Sequence, residues 1–484
     1  TTAMSGAVGT GNIGGVALAI WVGGPAAIFW MWVTAIFGMT TKFVEVTMAH
    51  KYRTTLSDGS ISGGPMYYIE QGLNMKWVGI LFAALMMICA IGSGNMPQIN
   101  NIANVLESTF SIPKLLTGLV LGLLLWIIIV GGIKRIAQIA SKLVPIMGVI
   151  YFGGALIILI ENYENIIPSF NAIFSQVFTG SAAVGGFLGA SFAMSLKLGV
   201  ARGLYSNEAG QGSSPIAHAS AKTEKSVEQG MVSILEPFID TIVVCSVTAL
   251  VILSSGAWTQ KYENSFDRTS MFIFDGSYSE ENANDVEELG KFILDRRNFT
   301  NNTSSVKNYS GSLEVLEGKI QQDNITIFHK QSIAEDVLFM KDGKLINGFI
   351  DISNGSIDDL GVKVSGKSLI HSAELTAKAF SSGVLGVVGE YIVAIGLLLF
   401  AFSTAIAWSY YGDRSTAYIF GEGGVQVYRM IYVFSFILAA VIDTEIIWNI
   451  AYVVVALVSI PNLIALFVLR KEMKEQVTSY VIEK

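Results

Sequence analysis

The sequence predicts an all-α membrane protein: about ten visible transmembrane helices in a five-plus-five inverted repeat with helices 1 and 6 broken, plus a small strand-rich soluble insert. Three observations lead there. Of 484 residues, 52% are hydrophobic and only 14% charged, with a mean hydropathy of +0.54, the balance of a polytopic membrane chain. Apolar runs of about 17–25 residues, the length that spans hydrocarbon, recur along the chain. Two of these runs, five apart, carry clustered glycines, where inverted repeats place their discontinuous helices.

The expected spans are 1–20, 25–48, 77–105, 115–132, 136–160, 177–200, 228–256, 383–411, 426–442 and 444–469. In the first, Ala7–Ala17 reads AVGTGNIGGVA and sets polar, backbone-exposing positions inside an apolar run. Hydrocarbon tolerates an unsatisfied amide poorly, so a loosened helix at that depth must be buried in protein or line a polar cavity. Half-helix termini facing such a cavity suit a small charged solute and a cation. Gly9, Gly11 and Gly14 also fit G-x-G-x-x-G. A dinucleotide site needs a strand before that motif, and too few residues precede it. The chain opens on Thr1 inside an apolar run, so the reading expects a fragment lacking its natural beginning. The third span carries Asn95, Gln98, Asn100 and Asn101, and polar groups at membrane depth face the bundle interior. The sixth carries Gly180, Gly185, Gly186 and Gly189.

Between spans seven and eight the character changes. Residues 259–372 hold 18 acidic and 12 basic side chains, so most of the net charge of −7 is here and the membrane part is close to neutral. That balance gives a nucleic-acid partner no support. A helical pattern near 283–296 is followed by alternating runs, with a hairpin expected at Phe339–Ile352 turning on Asp342-Gly343. The domain reading is 1–258 for helices 1–7, 259–372 for the insert, 373–470 for helices 8–10 and 471–484 for a tail. Alternate short loops carry His50, Lys51, Arg53, Lys76, Lys134, Arg135, Lys197, Arg202, Lys222, Lys225, Arg414 and Arg429, and the tail adds Arg470, Lys471 and Lys474. The other side's short loops offer Lys114 against Glu161, Glu164, Asp443 and Glu445. The positive-inside rule puts the tail in the cytoplasm and the insert outside a cell membrane. Asn-X-Ser/Thr triplets at Asn298, Asn301, Asn302, Asn308, Asn324 and Asn354 suit an external surface. Cys89 and Cys245 sit in apolar runs as small core residues. His50, His218, His329 and His371 show no ligand spacing, and no Ser/His/Asp or Cys/His set is discernible, so the reading is not an enzyme.

Several blocks carry a resemblance. GGPAAIFWMWVTAIFG at 23–38 resembles the signature of the alanine-or-glycine:cation symporter family (sodium:amino-acid symporters). GTGNIGGVA at 9–17, RGLYSNEAGQGSSPIAHASA at 202–221, QGMVSILEPFIDTIVVCSVTALVILSSG at 229–256 and FSTAIAWSYYGDR at 402–414 are similar to it as well. Two departures stand out: the insert is larger than the short loop usual there, and the region before helix 1 is absent.

The resemblance implies a symporter that moves a small neutral amino acid, alanine or glycine, inward with sodium, and needs no organic cofactor. It implies that the Thr10 and Gly11 amides face the substrate carboxylate. It implies that the Val8 carbonyl, with Ser403 and Thr404, holds sodium. Helix N-termini suit an anion and unwound carbonyls suit a hard cation, so the physical reading agrees.

The bland readings stand beside these. Asn12 contacts ion and cavity, or caps and bridges helices. Gln98 neighbours the substrate, or bonds between helices. Gly189 borders substrate, or packs closely together with Gly185. Trp408 walls the pocket, or joins an interfacial belt. Ser403 and Thr404 bind sodium, or bond back to their own helix. Asp240 and Glu208 relay protons, or cap a helix or pair with a neighbouring Arg or Lys, and on the latter reading are left out of the ion site. Rival functions are an amino-acid sensor signalling through the insert, whose own partner is unknown, and proton instead of sodium coupling. Beyond solute, cation and membrane lipid, no partner is implied.

Overall fold

The computed structural model describes residues 2–56 and 59–483. Thr1, at the head of the first expected span, and Lys484, at the end of the tail, lie outside them.

The chain is mostly helical. Helix α1 (Thr2–Ala7) ends early, and a π-helical turn, Gly11–Gly15, leads into α2 (Val16–Gly23). Then come α3 (Ala26–Lys51), α4 (Lys76–Gly92), α5 (Met96–Phe110), α6 (Lys114–Ile129), α7 (Gly132–Glu161) and α8 (Ile166–Ser175). Next are α9 (Phe192–Asn207), the short α10 (Ser214–His218) and α11 (Ser226–Ser254). After the strand-rich segment follow α12 (Ser372–Ser381), α13 (Val387–Phe420), α14 (Glu422–Ala439), α15 (Thr444–Val468) and α16 (Arg470–Glu483). Six helical stretches among the described residues are long and apolar enough to cross a membrane: Ala26–Lys51, Lys76–Phe110, Gly132–Glu161, Ser226–Ser254, Val387–Phe420 and Ile446–Val468. Gly11–Gly23 and Lys114–Ile129 are apolar but shorter. Apolar side chains such as Val149, Ile160 and Phe467 remain exposed along these helices, as lipid-facing surfaces require.

The first span is broken where its glycines suggested. The sixth is not. Residues 181–190 form a hairpin with bridges Ser181↔Ala190 and Val184↔Phe187, and α9 starts only at Phe192 behind the Ser191 cap. Gly180 and Gly189 hold φ of +86° and +91°, values that turn the chain and disfavour any side chain. Hydropathy could not separate those turn glycines from helix glycines. The interruption comes later, at 208–213 between α9 and α10, where Glu208 adopts a left-handed φ of +57°.

The strand-rich segment runs from Tyr262 to Ser368 in three four-stranded antiparallel sheets, with one helix, Ala283–Arg296, where the periodicity predicted it. Asp342-Gly343 does turn a hairpin, with Lys341 opposite Lys344. Its return strand lasts only two residues, Lys344–Leu345; Gly348–Ser353 pairs with Gly311–Leu316 instead. The segment rests on the bundle through Phe274, Leu289, Ile293 and Phe328, packed against Trp21 and Val22 of α2 and Met194 of α9. Trp21 Nε1 donates to the Lys330 carbonyl at 3.0 Å. The insert therefore sits on the ends of α2 and α9 that lie away from the two breaks.

Candidate functional site

Gly9 ends α1 by letting another helix come close. A Cβ there would lie 2.5 Å from Thr404 Oγ1 and 3.1 Å from Gln98 Oε1. In an unbroken helix the Gly9 and Thr10 N–H groups would bond back to Ser5 and Gly6. Side chains take both: Gly9 N donates to Asn12 Oδ1 at 2.8 Å, and Thr10 N to Gln98 Oε1 at 3.2 Å. Both amides are thus directed at amide oxygens.

The freed carbonyls face α13. Thr404 Oγ1 lies 3.2 Å from the Ser5 carbonyl, 3.2 Å from the Val8 carbonyl and 3.1 Å from the Phe400 carbonyl. One hydroxyl proton serves only one of three acceptors, so this spot has more oxygens than protons. Ser403 stands differently. Its hydroxyl bonds back to Phe400 O at 2.9 Å, and its carbonyl accepts from Ser5 Oγ at 3.0 Å. Among the described residues no three His, Cys, Asp or Glu side chains gather as metal ligands, so an ion here would meet carbonyl and hydroxyl oxygens.

Between the two breaks lies a void lined by Gly6, Ala7, Gly9, Gly11, Ser93, Gln98, Tyr205, Glu208, Thr404 and Trp408. Its free space holds about one water molecule, so admitting a solute requires the walls to part. Gln98 spans it: Oε1 accepts from Thr10 N, while Nε2 donates to Tyr205 OH at 3.3 Å. Tyr205 OH donates to the Ser93 carbonyl at 3.2 Å. Across the void, Glu208 Oε1 accepts from Trp408 Nε1 at 2.9 Å and Oε2 from Ser213 Oγ at 2.6 Å. The second break is held from below by Glu45, which accepts from Gly212 N at 3.2 Å, and by Asn462, which donates to the Gly210 carbonyl at 2.9 Å.

Beside this void Asn12 Nδ2 donates to Asp240 Oδ1 at 2.6 Å and to Ser206 Oγ at 3.2 Å. Ser206 Oγ and Thr241 Oγ1 each donate to Asp240 Oδ2 at 2.7 Å. Neutral donors from three elements hold the buried carboxylate, which ties the first break to α9 and α11.

The profile described as the sodium:alanine symporter family matches residues 1–275 and 352–484. The chain belongs to the sodium:alanine symporter family. An uncharacterized transporter of Haemophilus influenzae is 35% identical over 480 residues, 99% of this chain and 82% of that one. The sodium/alanine symporter AgcS of Methanococcus maripaludis is 34% identical over 472 residues, 97% of this chain and 80% of its own. A Bacillus subtilis protein named "Probable sodium/glutamine symporter GlnT" is 42% identical over 255 residues, 53% of this chain and 52% of its own. This is a family of multi-pass membrane transporters of the symporter type, not of enzymes. Its profile passes over residues 276–351, the greater part of the insert.

Within this symporter-family chain, Gly11, Gln98, Thr404 and Trp408 line one void, and Thr10 and Val8 adjoin it through main-chain atoms. Asn12 is close by but does not line it; its amide is spent on Gly9, Ser206 and Asp240. Gly189 requires a correction. It lies in the 181–190 hairpin, where an added Cβ would meet Ser181 O at 2.9 Å, away from the residues that line the void. Sequence reasoning set aside Glu208, which lines the void and accepts from Trp408 and Ser213, and it passed over Ser93, Tyr205 and Ser5. A signal for Glu208 existed: Asn207–Gly212 is a polar, glycine-rich stretch directly after an apolar helix, five spans after the first break.

Proposed function

We propose that this protein is a secondary symporter that couples inward sodium movement to uptake of a small neutral amino acid, alanine or glycine. The observation that carries the reading is the broken first helix. Its Ser5 and Val8 carbonyls converge on Thr404, while its Thr10 amide is held by the Gln98 side chain at the edge of the void. In this reading Gln98 Oε1 keeps the place of a carboxylate oxygen. An arriving carboxylate takes over the Thr10 and Gly11 amides, which suit an anion, and Gln98 Nε2 becomes free to donate to it. The Glu208 carboxylate, across the void, faces the ammonium end, so the site matches a zwitterion of short length. Trp408, anchored by its bond to Glu208, limits the side chain.

Sodium takes the oxygens of Ser5, Val8 and Thr404 and so stiffens the break that presents the amides. Coupling follows from that shared segment. The membrane potential adds about 2.3 kcal/mol per charge per 100 mV to inward movement. The reading includes a five-plus-five inverted repeat, with α1–α2 and α9–α10 as its broken members. It sets the insert outside the cell and the tail in the cytoplasm, in accord with the loop charges. One relative is named for alanine and another for glutamine, and the similarity of blocks 9–17, 23–38 and 402–414 to the alanine-or-glycine family is what favours alanine or glycine here.

Labelled-alanine uptake into proteoliposomes tests the proposal. Accumulation driven by an inward sodium gradient, and lost when choline replaces sodium at fixed pH, supports it. Uptake indifferent to that exchange but driven by a proton gradient refutes the sodium assignment. Binding without accumulation under any gradient favours a sensor.

A further inference from the structure

Arg202, expected in a short loop, instead lies on α9, one helical turn before Tyr205, and is only 1% exposed. Its guanidinium stacks over Trp448, 4.2 Å from the ring centroid, and Tyr452, at 5.0 Å, both on α15. Ring faces attract a cation but accept none of its in-plane N–H bonds. Arg202 Nε and Nη1 have no hydrogen-bond partner, and neither does Trp448 Nε1 in the same cluster. No carboxylate among the described residues lies within ion-pair distance of Arg202. Three buried donors thus meet no acceptor, and an uncompensated buried charge is costly. Tyr205 joins this cluster to the void, its ring 5.1 Å from Trp448 and its hydroxyl beside Gln98. The other end of α9, at Met194, carries the insert.

We propose that Arg202 and Trp448 form a second anion-binding station, one turn of α9 from the void, for a small monovalent anion. Two sources share that chemistry: the carboxylate of the solute, resting there before it reaches the Thr10 and Gly11 amides, or chloride. The guanidinium fork suits a carboxylate in particular, since two parallel N–H groups meet its two oxygens. The first source rests on the proposed function; the station itself does not.

The test uses full-length purified protein in sodium isethionate, whose bulky anion serves as the blank. Thermal unfolding is followed while sodium propionate or sodium chloride is added, for the wild type and for Arg202→Gln. The midpoint rises by several degrees in the wild type and not in Arg202→Gln. A rise with propionate assigns the station to the solute carboxylate, and a rise with chloride to that ion. No rise with either in the wild type, or an equal rise in Arg202→Gln, overturns the proposal. Transport gives a second reading. Arg202→Gln raises the alanine KM about tenfold with kcat changed far less, and Arg202→Lys, which keeps charge but not the fork, falls between. An unchanged KM in both variants, with no altered response to chloride, equally overturns it. Should the wild type accumulate no alanine at all, the transport reading fails, while the thermal measurement still decides the station.

Discussion

Thr404→Val keeps the shape of the side chain and removes the one hydroxyl that faces three carbonyls, at 3.2, 3.2 and 3.1 Å. If that oxygen is a sodium ligand, its loss is the loss of one contact to a charged group, about 1.5–3 kcal/mol. At 1.4 kcal/mol per decade this raises the half-saturating sodium concentration about 10- to 150-fold. Alanine uptake into proteoliposomes, titrated with sodium at constant ionic strength, reads it directly. At saturating sodium the alanine KM should return close to the wild-type value, because the Thr10 amide and Gln98 are untouched. Ser403→Ala should do less, since its hydroxyl bonds back to Phe400. A Thr404 hydroxyl that merely bonds back to its own helix predicts a stability change of about 1 kcal/mol or less and the same sodium midpoint. An unshifted midpoint in Thr404→Val would therefore refute the ion assignment.

Further outcomes follow from other contacts. An alanine at Gly94 sets its Cβ 2.2 Å from the Trp408 indole, so Gly94→Ala should push the ring into the void and lower alanine uptake about tenfold or more, with glycine uptake hurt less; equal losses for both solutes would contradict the wall role. Asn12→Leu strips a donor from buried Asp240 and unties the Gly9 amide, which should cost about 1.5–3 kcal/mol in thermal unfolding and reduce uptake, and a variant as stable as the wild type would count against the tie. In the insert, burial holds the His329 imidazole down at about 2, far below its ordinary 6.5. Its Nε2 accepts from Asp267 N at 3.3 Å and its Nδ1 bonds Ser368 Oγ at 2.7 Å, so protonation would set one N–H against another. That contribution is complete above pH 6.5 and is lost as pH falls from there toward 2, with a slope approaching about 1.4 kcal/mol per pH unit. Amide-exchange protection over 262–368, taken relative to the intrinsic exchange rate at each pH, should fall across that window, and a His329→Gln variant should lose the part of the slope above pH 4. Below pH 4 Asp295, held down at about 2 by the Thr300 hydroxyl, adds to the loss.

Periodicity and composition carried the helices, since a bilayer demands continuous apolar stretches and leaves a strong one-dimensional trace. The first break was readable for the same reason: Gly9, Thr10, Gly11 and Asn12 have no place in a lipid-facing helix. The second break was misplaced because glycine marks both a loosened helix and a turn. Gly180–Gly189 has the denser cluster, yet hydrogen bonds across the hairpin make it a turn, while Glu208–Ser213 does the unwinding. Residue types alone cannot tell these apart; the partners of their main-chain groups do.

By itself, then, the sequence determined the class of protein, its mostly helical character with several apolar spans, the acidic balance of the insert and the oxygen-rich motif in the first span. Only the tertiary structure decided which polar groups meet: Thr404 with the carbonyls of Ser5 and Val8, Glu208 with Trp408, Asn12 with Asp240, and Arg202 with two rings and no acid. Those pairs lie up to 399 residues apart along the chain. Hydrophobic period is a property of neighbours in sequence, whereas the satisfaction of buried polar groups is a property of neighbours in space.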